Sequence, residues 1–275
     1  MRPANPIGYQ ASYDTQSIFE AIRFGKENGF QAVEIHLLSP NFQPERINSA
    51  ERRAIRDENF ILLFHVPTNF SFFIDDKVRL ATIERLKEYI DFAEELAAYA
   101  ITVHLGRSMP LATQGKILRT WELWYEQEYE RLYSSLKDIG TYMQDKRLFF
   151  CIENTSEMRY PLSYEVLESL LPELPLYLTW DIGHSNTLNH DEKQREEAFF
   201  LRFLHKVKNV HLHDNWGKID EHNIIGEGNI NWGYYLELLD SKERVLILET
   251  RPRELAVLGM KRLLNVWHHN NKLTK

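Results

Sequence analysis

The sequence predicts an α/β protein built as a single (β/α)8 barrel, with residues 1–275 as one domain. Three observations predict it. Short apolar runs of strand length alternate with helical stretches eight times, at spacings of roughly 25 to 45 residues, the pattern of strand–helix units in a parallel sheet. A length of 275 residues suits one large core of this kind. No Gly-rich dinucleotide fingerprint follows the first strand, which argues against an open doubly wound sheet.

The elements follow in order. Residues 5–9 read as a first strand, and residues 14–28 as a helix whose Ile18, Ala21, Ile22 and Phe24 form an apolar stripe before the Asn28-Gly29 stop. Residues 32–36 (AVEIH) are strand-like, residues 49–58 a polar helix, and residues 61–65 an apolar strand ending in His65. Residues 75–99 form a long amphipathic helix, with Leu80, Ile83, Leu86, Ile90, Phe92, Ala93 and Leu96 on its buried side. Residues 101–104 are the next strand, ending in His104. Residues 114–144 are expected to be helical and carry Trp121, Trp124, Tyr125, Tyr129 and Tyr133, which fit a dimer face or packing on the barrel equally well.

The second half repeats the alternation. Strands are expected at 148–153 (LFFCIE), 176–181 (LYLTWD), 207–211 and 244–249 (RVLILE). Helices are expected at 163–171, 192–206, 232–239 and 254–268. No linker or low-complexity segment interrupts the series.

Composition bounds the function. Hydrophobic residues at 43% with 27% charged describe an ordinary soluble globular chain. A formal net charge of −7 argues against holding nucleic acid through bulk charge. The one cysteine, Cys151, cannot form an intramolecular disulfide and sits in an apolar run, as a buried thiol of a reducing compartment would. With no signal-type apolar segment near the start and no run of about 18 apolar residues, a cytoplasmic protein without membrane contact is expected.

The chemistry gathers at strand ends. His65, His104, Glu153, Asp181, His211 and Glu249 each close an apolar strand, and in a (β/α)8 barrel those ends share one face, where active sites form. Six such groups are costly to desolvate one by one, whereas a divalent metal neutralises the carboxylates together. Imidazole and carboxylate are the usual nitrogen and oxygen donors for zinc and manganese. Asp181-Ile182-Gly183-His184 adds a second carboxylate–imidazole pair on a turn. The stretch 210–232 (VHLHDNWGKIDEHNIIGEGNINW) adds His213, Asp214, Asp220, Glu221 and His222 before its Gly226-Glu227-Gly228 close.

Taken together, FHVPTNF, TVHLG, CIENTS, TWDIGH, VHLHD, IDEH with GEG, and LET resemble the xylose isomerase-like TIM barrels, the superfamily of sugar isomerases and epimerases and of endonuclease IV (AP endonuclease family 2). The resemblance spans residues 61–252. In the epimerase branch it implies one divalent metal (manganese, magnesium, cobalt or zinc) on Glu153, Asp181, His211 and Glu249, with Glu153 and Glu249 also acting as the acid–base pair. In the endonuclease IV branch it implies three zinc ions, which brings in His65, His104, His184, Asp220 and His222 as further ligands. Those five residues are therefore candidates for a second metal or for the substrate. His184, His213 and Arg251 are candidates to bind substrate.

The departures favour the first branch. Thr68-Asn69 stands where the nuclease branch has a Tyr-Leu pair, and Ser156-Glu157-Met158-Arg159 replaces its Gly-Gln-Gly. Arg107, Arg159, Lys218 and Arg251 are isolated, enough for a small anion but not for a DNA backbone. Phe70, Phe72, Phe73 and Trp216 suit the walls of a small-ligand pocket or packing of the rim. The expectation is a metal-dependent isomerase or epimerase of a sugar, sugar phosphate or related polyol or keto acid, acting on a small carbohydrate-type substrate and open to homo-oligomerisation. The alternatives are a zinc phosphodiesterase and a barrel that binds without turnover.

Overall fold

The barrel strands alternate their side chains between an outer face packed on helices and an inner face that fills the barrel. In the computed structural model, which describes residues 3–273, the strands are β1 (Ile7–Ala11), β2 (Ala32–His36), β3 (Ile61–His65), β4 (Ala100–Val103), β5 (Pro110–Thr113), β6 (Lys116–Arg119), β7 (Phe149–Glu153), β8 (Leu176–Asp181), β9 (Val207–Leu212) and β10 (Val245–Leu248). Residues 1–2 and 274–275, the ends of the expected domain, lie outside the described residues. Eight of the strands close a parallel barrel in the order β1-β10-β9-β8-β7-β4-β3-β2, with β1 and β10 paired as Ile7↔Leu246 and Gly8↔Ile247. The expected (β/α)8 barrel is thus the fold. No described helix is long and apolar enough to cross a membrane.

The interior is layered. At the floor Ala32, Leu63, Ala100, Cys151, Val245 and Ile247 pack together. Space is tight there: a Cβ on Gly8 would lie 2.7 Å from both the Ala32 carbonyl oxygen and Ile247 Cδ1. Burial pushes the Cys151 thiol well up, so it stays protonated and inert. Above the floor comes a polar layer, two residues on from Ala32 and Ala100 in the case of Glu34 and Thr102. In it Gln10 Nε2 donates to Glu34 (2.9 Å), Asn209 Nδ2 donates to Glu34 (2.8 Å) and to Thr102 Oγ1 (3.0 Å), and Thr102 meets Thr179 at 2.8 Å. Beyond it, at the mouth, stand His36, His65, Glu153, Asp181 and His211.

Two of the expected helices begin or end differently because of their caps. Ser17 accepts from Glu20 N, so the first helix is Ile18–Glu27 and not 14–28. Asn189 caps His190–Arg202, and the tail expected to 206 is a separate 3-10 turn, Leu204–Lys206.

The expectation for 114–144 is corrected. Its first residues are the turn and second strand of the antiparallel hairpin β5–β6, turned by Gln114-Gly115 with Gly115 at φ 85°, and the helix proper is Tyr125–Tyr142 after a one-turn helix, Thr120–Leu123. A two-residue turn carrying glycine at positive φ overrides the helical reading of the flanks. Trp121, Tyr125, Tyr129 and Tyr133 pack on the barrel core, whereas Trp124 is exposed.

Candidate functional site

Four buried side chains converge at the mouth. Glu153 and Asp181 end β7 and β8, His211 is the penultimate residue of β9, and Glu249 follows β10. One ligand atom from each lies within 4.8 Å of all the others. His211 Nδ1 is 3.2 Å from Glu249 Oε2, 3.3 Å from Glu153 Oε1 and 3.7 Å from Asp181 Oδ2. Ligands bonded at ~2.0–2.1 Å around a tetrahedral ion sit ~3.3 Å apart, so the donor set fits a divalent metal.

Sequence reasoning missed the residue that aims His211. Glu34, wholly buried on β2, takes the His211 Nε2–H at 3.1 Å and so turns the Nδ1 lone pair toward the three carboxylates. Burial would raise the Glu34 carboxyl, but the charge and hydrogen bond of His211 outweigh it and hold the group below its ordinary value. The available signal was the inward alternation Ala32, Glu34, His36 in a strand that otherwise reads as apolar.

A second group adjoins the first through Glu153. His65 donates from Nδ1 to the Val66 carbonyl at 2.8 Å, leaving Nε2 3.0 Å from Glu153 Oε2, and His104 Nε2 approaches the same oxygen at 2.8 Å. These three residues also place ligand atoms within 4.8 Å of one another. His36, which sequence reasoning passed over, stacks on the His65 ring with centroids 4.7 Å apart. Burial, with the nearby His65 and Arg251, pulls its imidazole down to about 3, so it is neutral.

On the other side the loop after β9 carries Asp220 and His222. Its base is tied by paired hydrogen bonds between Asp214 and Asn223, both 2.8 Å. The Asp214 carboxylate accepts from Gly226 N (2.8 Å) and Trp232 Nε1 (2.9 Å), which makes it the loop's anchor. Asp220 Oδ2 lies 3.2 Å from His184 Nε2 and 3.0 Å from His222 Nε2. His184 stands on Ile182–Asn186, a short helix where the sequence suggested a plain turn, and Asp181 caps it by accepting from His184 N.

Charges here are shared among neighbours. For Glu153, Asp181 and Glu249 burial raises the carboxyl, but facing histidines outweigh it and hold all three well below the ordinary range. Burial lowers the partner imidazoles, yet Asp181, Asp220 and Glu153 push His184 up to about 10, and Asp220 and Glu249 push His222 up to about 9. His211 is likewise raised, against burial, by Glu34, Glu153 and Glu249. Protons on imidazoles thus balance the carboxylates wherever a metal does not.

A cleft of about 740 Å³ opens beside these groups, lined among others by Asn69, His104, Arg107, Ser156, His184 and Asp220. That size suits a small molecule. Arg107 is 83% exposed and lies 3.9 Å from Glu157. Arg159 is committed to Glu196 (2.9 Å) and the His184 carbonyl (3.1 Å), and Arg251 to Glu249 (2.6 Å) and Gln10. Phe72 and Phe73 belong to the core, and Trp216 is exposed. His213, a candidate to bind substrate, is fully buried, bonded to Asp181 and stacked on His222.

The chain matches the family described as xylose isomerase-like TIM barrel over residues 22–266. A protein of Methanocaldococcus jannaschii is 29% identical over 230 residues, which cover 78% of this chain and 71% of that one. Among solved structures, a D-tagatose 3-epimerase-like protein superposes with a TM-score of 0.78 at 22% identity, covering 100% of each chain. Endonuclease IV from Thermus thermophilus superposes with a TM-score of 0.70 at 20% identity, covering 96% of this chain and 99% of that one.

Proposed function

We propose, for a chain that belongs to the xylose isomerase-like TIM barrel family, that it is a divalent-metal-dependent isomerase or epimerase of a sugar, a sugar phosphate or a related polyol or keto acid. One observation carries the reading. Glu153 and Glu249, from separate strands, approach the same His211 Nδ1 at 3.3 and 3.2 Å, so two carboxylates flank one candidate metal position beside a small cleft.

A bound manganese, magnesium, cobalt or zinc ion would supply Lewis-acid polarisation of a substrate carbonyl and acidify the neighbouring C–H. Glu153, Asp181, His211 and Glu249 would hold it. Facing histidines hold both glutamates well below the ordinary carboxylate range, so both are ionised at neutral pH, as a base must be. One of the two, Glu153 or Glu249, takes the C–H proton and the other returns it, on the same face or the opposite one. Arg251 fixes Glu249 Oε1 from behind. His184, at the cleft wall, orients a substrate hydroxyl.

A second reading, metal-assisted phosphodiester hydrolysis, is favoured by one observation: His65 and His104 both close on Glu153 Oε2, which a one-metal isomerase does not require. The test is a panel of ketoses, 3-keto sugars and their phosphates incubated with manganese- or cobalt-loaded protein in D2O and followed by proton NMR. The expected result is solvent deuterium entering carbon next to the carbonyl, suppressed by Glu249→Gln. Cleavage of a phosphodiester in parallel tubes, with no exchange in any sugar, would transfer the assignment to hydrolysis.

A further inference from the structure

We propose that Gln10 is a positioning residue: its side-chain amide closes a ring of polar contacts that holds His211 and Glu249 in one fixed arrangement. The inference rests on the metal position proposed above for Glu153, Asp181, His211 and Glu249.

The ring can be followed atom by atom. His211 Nδ1 lies 3.2 Å from Glu249 Oε2. Glu249 Oε1 accepts from Arg251 Nη2 at 2.6 Å, and the same nitrogen donates to Gln10 Oε1. Gln10 Nε2 donates to Glu34 Oε2 at 2.9 Å, and Glu34 Oε1 lies 3.1 Å from His211 Nε2, which closes the circuit. The side chains come from four strands consecutive around the barrel, β9, β10, β1 and β2, with Glu249 and Arg251 just past the end of β10.

Strand register puts Gln10 between two carboxylates. Gln10 pairs with Glu34 of β2, and Tyr9 pairs with Leu248 of β10, so the next step in register sets Gln10 level with Glu249. Gln10 is 1% exposed, and Glu34 and Glu249 are 0% and 6% exposed. A buried side chain in this place has to offer a donor to Glu34 and an acceptor to the guanidinium that serves Glu249. A primary amide has both ends. Its orientation follows, because a guanidinium can only donate: Oε1 faces Arg251 and the NH2 faces Glu34. A further carboxylate on β1 would repel Glu34. An apolar chain would leave a buried carboxylate oxygen and a guanidinium N–H without these partners.

The neighbours are committed to match. Arg251 Nη2 carries two hydrogens, one for Glu249 and one for Gln10. Glu34 Oε1 also accepts from Asn209 Nδ2 at 2.8 Å, so Oε2 is the oxygen left to Gln10. Each Gln10 contact therefore reaches the four-donor set in one further step. Glu34 sets the ring of His211, and Arg251 sets the carboxylate of Glu249. Hydrogen bonds joined in such a chain polarise and brace one another. The imidazole on β9 and the carboxylate after β10 thus keep their separation through a residue that touches neither.

The test uses the full chain with zinc alone as the probe. Zinc dissociation constants are measured by chelator competition for the wild type, Gln10→Met and Gln10→Asn. Glu249→Gln identifies the constant that belongs to the four-donor position. The His211 ring is followed by 15N NMR in the same proteins without metal. Methionine keeps the length of glutamine and makes neither bond. Asparagine keeps the amide, one methylene short of spanning both partners, and is the milder change for folding. The expected loss of zinc affinity is about 10–100-fold for Gln10→Met, the range for groups that orient a ligand, and smaller for Gln10→Asn. The His211 15N signals should move in both variants, which a residue that only fills the barrel would not cause. Zinc constants within about threefold of the wild type in both variants, or an unmoved His211 ring, would overturn this inference and leave the metal position standing. A wild type in which Glu249→Gln weakens no zinc constant would overturn both.

Discussion

Glu34 Oε1 lies 3.1 Å from His211 Nε2, and neither residue is exposed to solvent. The contact fixes which ring nitrogen faces Glu153, Asp181 and Glu249, and it links the polar middle layer of the barrel to its mouth. Glu34→Gln removes one of the two carboxylate oxygens and introduces an N–H toward donors already in place. We expect metal affinity to fall about 10–100-fold, as for other partners that orient a ligand. The measurement is chelator competition alongside 15N NMR of the His211 ring. Unchanged affinity together with an unchanged tautomer would show that Glu34 does not orient the ring.

Glu249→Gln separates chemistry from folding. Gln is nearly isosteric but cannot take a proton, and general acid–base catalysis contributes typically about 10²–10⁴-fold. Turnover on a verified substrate should drop by about that factor, with a much smaller effect on the melting temperature of metal-loaded protein. Near-wild-type turnover would remove Glu249 from the acid–base pair.

Much of this site was legible because ligand-type residues stand at strand ends, and strand ends of a parallel barrel share one face. His65, Glu153, Asp181 and His211 were readable individually, since each breaks an apolar run. Glu34 and Asn209 were not: both lie mid-strand, where a polar residue reads as an exception until closure of the barrel shows that every second position points inward. Which way His213 faces was not legible either, because nothing in VHLHD tells a ring facing the cleft from one packed over Gly183. The β5–β6 hairpin was hidden in a stretch whose downstream part is a true helix, its one signal being Gly115.

Gly183→Ala tests that packing directly. The added methyl would fall 1.9 Å from His213 Cε1, a separation the ring can relieve only by leaving its slot. Since no positive φ is involved, the cost is steric, and overpacking of this kind costs about 1–3 kcal/mol. Thermal unfolding in chelator should show a lower midpoint, and the His213–Asp181 hydrogen bond should be lost from the imidazole NMR spectrum. A wild-type midpoint would mean that the ring has room to move.

Stability at acid pH should report His36. Its imidazole titrates near 6.5 when unfolded and is pulled down to about 3 in the fold. Above pH 6.5 both states are neutral and the group contributes no pH dependence. As pH falls from 6.5 toward 3 the unfolded chain binds a proton that the native one does not, and stability is lost progressively. His36→Phe keeps a ring against His65 and removes this titration. In chelator-treated protein, urea midpoints between pH 7 and 4 should decline less steeply for the variant, and parallel declines would assign the acid sensitivity to other groups.

The last prediction concerns DNA. All nine residues that the resemblance to the endonuclease IV branch brings forward meet at the barrel mouth, yet we expect no meaningful cleavage of an abasic site. A nuclease must grip several phosphates and hold the damaged nucleotide out of the stack, which takes clustered cations and wedge side chains. Here Arg159 and Arg251 are committed to Glu196 and Glu249, which leaves Arg107 and Lys218 as the exposed members of the four cations singled out in the sequence. Thr68 and Asn69 stand beside the cleft in place of a bulky wedge. The net charge of −7 adds a repulsive background. Each phosphate contact that is lacking weakens binding and flattens its salt dependence, so the strongest challenge is zinc-loaded protein with an abasic duplex at low salt. Little strand cleavage is expected there. Rapid cleavage, abolished by Glu153→Gln and by chelator, would show that the zinc ligands suffice without the grip, and would make hydrolysis the function of this barrel.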